Sequence, residues 1–204
     1  MPVPSRERVV ELLSAHAQAP GFGEGAFDVE DVTVSKAGVH SVVKVVVDRD
    51  SGFELDALAR ISHEVSDVLD AATEFGDTAY NLEVTTPGVD RPLTEPRHWR
   101  RARGRKVAVT TTDDAFDARV GALTVTGGHT KLELILPSRS GPTARVVSLD
   151  EITSATVQVE FKKPNPVELE MAGGVAPGRF DPLNPPPESP AGDEDDSDSD
   201  DNEF

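Results

Sequence analysis

Apolar residues between positions 5 and 19 recur at helical spacing, with Val9, Leu12, Leu13 and His16 on one stripe and polar residues opposite, which predicts an amphipathic helix ended by Pro20 and Gly21. The glycine-rich stretch GFGEGAF follows no strand and lacks G-x-G-x-x-G spacing, so it reads as a turn and not as a phosphate cradle. Two β-branched runs in FDVEDVTVSKAGVHSVVKVVVDRD then flank Ala37-Gly38 and predict a β-hairpin, its second strand rich in valine (Val42, Val43, Val45, Val46 and Val47). Residues 56–71 return to helical spacing at Leu58, Ile61, Val65, Val68 and Leu69, and Tyr80 to Thr85 reads as a third strand. The order α-β-β-α-β predicts a small α+β domain, residues 1–86, with two helices on one face of a three-stranded sheet.

Pro87-Gly88 breaks this pattern and predicts a type II turn, with proline at the first central position and glycine at the second, which needs positive φ. Pro92 and Pro96 stiffen a linker, residues 87–104, in which a short helix from Glu95 to Arg103 carries Trp99, the single tryptophan, which reads as a packing anchor or as a ring that stacks on a base. The runs KVAVTT, ARVGALTVT, KLELIL, ARVVSLDEI and ATVQVEF predict five short strands closing a small barrel over residues 105–163. In the last of them Val157, Val159 and Phe161 alternate inward against Thr156, Gln158 and Glu160. Residues 164–204 hold eight of the 16 prolines and end in DEDDSDSDDNEF, the composition of a disordered acidic tail.

Charge changes this picture at one place. The net charge is −17, but residues 164–204 carry twelve acidic residues against one basic, so the remainder is only mildly acidic. Arg91, Arg97, Arg100, Arg101, Arg103, Arg105 and Lys106 fall within 16 residues that contain one acid, Glu95. So dense a basic run points to an anionic partner. Guanidinium groups hold phosphates or carboxylates bidentately, whereas the total charge favours a basic protein partner at long range.

Candidate chemistry is otherwise sparse. There is no cysteine, hence no disulfide, thiolate nucleophile or cysteine-ligated metal. No two of the five histidines have i, i+4 spacing, and neither a P-loop nor a G-x-S-x-G elbow occurs. Asp48, Asp50 and Gly52 begin like a calcium loop, but Ala59 stands where its bidentate glutamate belongs, so they read as a charged turn. The expectation is no catalytic residue, no metal, no cofactor and no nucleotide. With no apolar window near membrane-spanning length and no signal core, the chain is expected to be cytoplasmic and unanchored, and with no leftover apolar stripe, monomeric.

The segment Pro87-Gly88-Val89-Asp90-Arg91-Pro92-Leu93, followed by the basic aromatic-bearing stretch and Gly104-Arg105-Lys106-Val107, closely resembles the RimP family of bacterial ribosome maturation factors over residues 5–163. Thr86 stands where many members have serine and keeps the hydroxyl. The resemblance implies a KH-like, RNA-binding type of α/β domain followed by an Sm-like (SH3-like) barrel. It also implies transient binding to the immature small (30S) ribosomal subunit, helping 16S rRNA and a basic ribosomal protein, the twelfth of that subunit, to seat.

On this reading Pro87, Gly88, Asp90, Arg91, Pro92 and Leu93 form the joint, with Arg91 paired to Asp90 or to a barrel carbonyl. Arg97, Trp99, Arg100, Arg101, Arg103, Arg105 and Lys106 form the surface for rRNA or ribosomal protein. An alternative from another class is an Sm-type chaperone of single-stranded RNA, with Trp99 stacked on a base.

Overall fold

The structure is a computed structural model that describes residues 5–19, 22, 26–37, 40–72 and 80–185. Helix α1, Arg6–Ala17, starts where the Ser5 hydroxyl accepts the Arg8 amide and buries Val9, Leu13 and Ala17. The buried stripe thus continues to Ala17, while His16 stays exposed and bonds the Leu12 carbonyl. Strands β1 (Asp28–Ala37) and β2 (His40–Asp48) pair antiparallel; α2 (Leu55–Asp70) then crosses back so that β3 (Tyr80–Thr85) pairs parallel to β2. Ile61, Val65 and Leu69 of α2 and Val9 and Leu13 of α1 pack on Val32, Val43, Val45 and Val47. Most of the glycine-rich stretch at 20–25 and the hairpin tip at 38–39 lie outside the described residues.

A single irregularity in β1 matters for everything that follows. Val29 pairs with Val47 and Asp31 with Val46, so Glu30 is an extra residue, a β-bulge. Val29 and Val32 both pack on the core although they are three apart, and Glu30 is turned to the other face of the sheet.

The second unit consists of β4 (Lys106–Thr111), β5 (Ala115–Thr126), β6 (His129–Leu136), β7 (Thr143–Ser148), a 3₁₀ turn (Leu149–Glu151) and β8 (Ile152–Val157). Its strand order is β7-β6-β5-β4-β8, all pairings antiparallel. A closed barrel is the sequence expectation; the structure shows a five-stranded sheet whose edges β7 and β8 are not paired with each other. The last strand also differs from expectation. It stops at Val157, leaving Val159 and Phe161 52% and 95% exposed, while Ala155 faces the core. The reason is its partner: antiparallel β4 begins at Lys106, whose carbonyl accepts the Gln158 amide, so no ladder exists beyond that point. The linker covers the free edge of β8 through a Pro92–Thr156 bridge and the Leu93 amide on the Ala155 carbonyl.

Order extends past Lys163. Asn165 caps α4 (Pro166–Met171) by accepting the Val167 amide, with proline at the first helical position, and Leu169, Ala172 and Ala176 are buried. The expectation of disorder from residue 164 therefore fails for 164–185, where a cap signal and apolar residues three to four apart sit inside a proline-rich composition. Residues 186–204 lie outside the described part of the chain.

Candidate functional site at the domain junction

The linker enters the second unit through a turn placed two residues later than expected. Gly88 does not have positive φ; it is the first residue of the turn closed by the Arg91 amide on the Gly88 carbonyl, with Val89 and Asp90 at the centre. A type II geometry with glycine at its third position is thereby excluded. Gly88, Val89 and Asp90 are exposed, Arg91 and Leu93 half-buried.

Helix α3, Pro96–Arg101, sorts the basic cluster by face. Trp99 is 1% exposed and joins Val107, Val109, Val120, Leu132 and Leu134 in the core of the second unit. Arg97, His98 and Arg101, at i, i+1 and i+4, face the three-stranded sheet instead. The helix is therefore a two-sided insert between the units.

Glu30, its side chain fully buried by the bulge, is the receiving group. Its Oε2 accepts from Arg91 Nη2 at 2.7 Å, Arg97 Nη2 at 3.1 Å and His98 Nε2 at 3.0 Å. Its Oε1 accepts from Arg97 Nε at 3.0 Å and Arg101 Nη1 at 2.6 Å. These donors saturate the carboxylate. The His98 tautomer follows from its other side: Nδ1 accepts the Thr94 and Glu95 amides at 3.2 and 3.0 Å, so the proton sits on Nε2 and points at Glu30. His98 thus completes the capping box of α3 and ties that cap to the neighbouring unit.

Asp28, Asp48 and Asp50 extend the network. Arg101 also donates to Asp28 and, through Nε at 2.9 Å, to Asp50; Arg100 grips Asp50 bidentately at 2.6 and 3.0 Å. The partner of Arg91 is Glu30, 61 residues away, and neither Asp90 nor a barrel carbonyl. Lys106 pairs with Asp117 at 3.0 Å, and Arg103 has its Nε buried without a partner. Among the described residues the Arg105 side chain has no hydrogen-bond or ion-pair partner. The structure thus brings together Arg91, Arg97, Arg100 and Arg101 on intramolecular carboxylates, and sends Trp99 to the core. The acids were the part not found from sequence. Their signal is present in Asp28, Glu30 and Asp31 interrupting a β-branched run, and in the VDRD segment, which reads locally as a charged turn.

Burial acts to raise the Glu30 pKa, but the hydrogen bonds from His98, Arg97 and Arg91 and the Arg91 charge outweigh it and hold the carboxyl far below its ordinary 4.5. Asp50 is lowered too, chiefly by its Arg100 hydrogen bonds against the opposing effect of burial. Carboxyls depressed on folding stabilise the folded state above their unfolded pKa, and that contribution is lost as pH falls through the folded value. Stability is expected to be flat from neutrality to about pH 5 and then to fall by up to ~1.4 kcal/mol per pH unit for Glu30 alone. In a urea-melt series across pH 7 to 2, Glu30→Gln should be less stable at neutrality and show a shallower acid limb. An unchanged acid slope in that variant would contradict the assignment.

Comparison with known proteins finds relatives for this chain. The family description "RimP N-terminal domain" matches residues 19–90, the sheet β1–β3 with α2 and the start of the linker. A ribosome maturation factor RimP from Mycobacteroides abscessus is 41% identical over 181 residues, covering 86% of this chain and 92% of that protein. The chain belongs to the RimP family. The RimP of Frankia casuarinae is 48% identical over 152 residues, 70% of this chain, which spans 56% of that longer relative. The RimP N-terminal match stops at Asp90, so it includes Glu30 but ends before the arginines that close on it. No helix among the described residues is long and apolar enough to cross a membrane.

Proposed function

We propose that this RimP-family chain is a non-enzymatic assembly factor of the bacterial small ribosomal subunit, acting in the cytoplasm as a monomer. It binds the immature 30S particle and helps 16S rRNA and the twelfth, basic, ribosomal protein to seat. The observation that carries this reading is the Glu30 joint, which holds two small units in one arrangement and leaves Gly88, Val89 and Asp90 exposed on the linker between them. A preorganised surface loses less entropy on binding than a hinged pair, which suits a factor that must recognise one intermediate among many. The five-stranded unit is read as Sm-like, because its strand order puts the first and last strands side by side, as a small barrel does. The net charge of the whole chain, −17, favours the basic protein at long range. Arg103, Arg105 and Lys106 supply the local rRNA contact, while Arg97, Arg100 and Arg101 act by positioning that surface. The rival reading, a free Sm-type RNA chaperone, needs the Trp99 indole for stacking, and that ring is in the core.

The test is cosedimentation with immature small subunits, mature small subunits and 70S ribosomes at moderate salt without nucleotide. Preferential retention on the immature particle is the expected result; equal retention on all three, or on none, would break the proposal. Arg91→Ala leaves Glu30 with two arginines and His98, so a loss of about 1.5–3 kcal/mol is expected without unfolding. That variant should be retained less well than wild type, and undiminished retention would show that the joint is irrelevant to binding.

A further inference from the structure

Where the linker, the end of β2, the exit of α3 and the C-terminal segment meet, the structure holds a cavity of about 120 Å³. Arg91, Arg101, Arg105 and Arg179 all line it, with Asp48 as the one carboxylate on the wall. Asp48 is already engaged, at 2.7 Å by Arg179 Nη2 and at 3.7 Å by Arg101 Nη1. The donors divide unevenly. Arg101 uses all three of its nitrogens, on Asp50, Glu30 and Asp28. Arg91 uses only Nη2, on Glu30, and Arg179 only Nη2, on Asp48 and the Arg49 carbonyl, leaving its Nε buried without a partner. Among the described residues Arg105 uses none.

Four guanidinium groups share this wall with a single carboxylate, so the cavity itself presents more positive than negative charge. We propose that this cavity is an oxyanion site that takes a phosphate group. A planar carboxylate is satisfied by one or two arginine forks. Here the under-used guanidiniums come from three separate segments, the linker, the α3–β4 connection and the segment after α4, which suits a tetrahedral ion with several charged oxygens. The cavity is roomy enough to accommodate a phosphate group. Free phosphate and a phosphodiester of an RNA strand share this chemistry. The inference rests on the reading of Arg105 as an rRNA contact; its failure would remove Arg105 from that contact, while cosedimentation with immature subunits tests the assembly-factor reading separately.

Full-length protein is melted in rising inorganic phosphate, with chloride and acetate at matched ionic strength as references, and binding is measured by calorimetric titration. The melting midpoint is expected to rise with phosphate over both references. Arg105→Gln, which breaks no intramolecular contact among the described residues, should weaken phosphate binding about tenfold or more with an unchanged circular dichroism spectrum. Arg139→Gln, on the exposed loop after β6, should bind as wild type does. A short oligouridylate that displaces phosphate from the wild type identifies an RNA backbone as the source; failure to displace identifies free phosphate. An equal response to acetate, a response that survives in Arg105→Gln, or no response to either phosphate or oligonucleotide overturns the site.

Discussion

A Glu30→Ala protein is expected to lose about 3–5 kcal/mol of stability, because removing the carboxylate of a buried ionic cluster leaves its partners desolvated and uncompensated. Arg91, Arg97 and Arg101 would then crowd a space whose remaining carboxylates, Asp28, Asp48, Asp50 and Glu95, lie at its margins and, of these three arginines, touch only Arg97 and Arg101. His98 would lose the acceptor of its Nε2 proton, and with it the link between the α3 cap and β1. The expected observation is calorimetric: the melting midpoint falls and a single coupled transition separates into two, one for each unit. Small-angle scattering of the folded variant should show a larger radius of gyration as the units come apart. A Glu30→Ala protein that melts in one transition near the wild-type temperature would mean that the apolar contacts of the linker, and not the ionic cluster, hold the joint.

Ending the chain after Lys163 is the second change with a large expected effect. The segment from Pro164 to residue 185 behaves as a strap over both units. On the second unit, Leu169, Ala172 and Ala176 are buried, the Ala176 amide bonds the Arg103 carbonyl, and Glu168 shares Arg119 with Glu160. Arg119 is 2% exposed and also donates to the Gly104 carbonyl at 2.8 Å, so losing Glu168 leaves a buried cation with one carboxylate instead of two. On the first unit, Arg179 reaches Asp48 and the Arg49 carbonyl, and Gly178 lies so close to the Ser51–Gly52 turn that an added Cβ would sit 1.4 Å from the Ser51 carbonyl oxygen. Loss of the Leu169 burial and of the Arg119 contact together is expected to lower stability by about 3–5 kcal/mol. Gly178→Ala separates the two ends of the strap: φ of +67° and the clash should release its N-terminal-domain contact while α4 stays docked. Hydrogen exchange should therefore show lost protection around Asp48 to Gly52 in Gly178→Ala and around Arg119 as well in the truncated chain. A truncated protein with unchanged melting would reduce the strap to an ornament of the surface.

The basic segment shows where reading along the chain reaches its end. Seven cations in sixteen residues signal an anionic partner. For Arg91, Arg97, Arg100 and Arg101 the structure supplies carboxylate partners within the same chain, at separations of 50 to 73 residues. Local charge density says that counter-charge is needed and nothing about where it comes from. Trp99 teaches the complementary lesson: in sequence it reads as a packing anchor or as a stacking ring, and the helix, with a packed sheet on one side and Glu30 on the other, turns it inward. The β-bulge was equally hidden, since two polar residues between Val29 and Val32 break the period-2 pattern without saying which of them is the extra one.

The sequence by itself determined the element order of both units, the apolar faces of α1 and α2, the position of the linker and the absence of familiar catalytic motifs. Those are short-range properties: helical and strand periods, turn residues and composition act over a few residues and survive without knowledge of the fold. The tertiary structure alone decided which carboxylates the arginines meet, that Glu30 is the centre of the joint, where β8 stops and that residues 164–185 strap the units together. Each of these depends on which distant segments are brought into contact, and burial then turns such a meeting from a weak, screened attraction into a structural commitment.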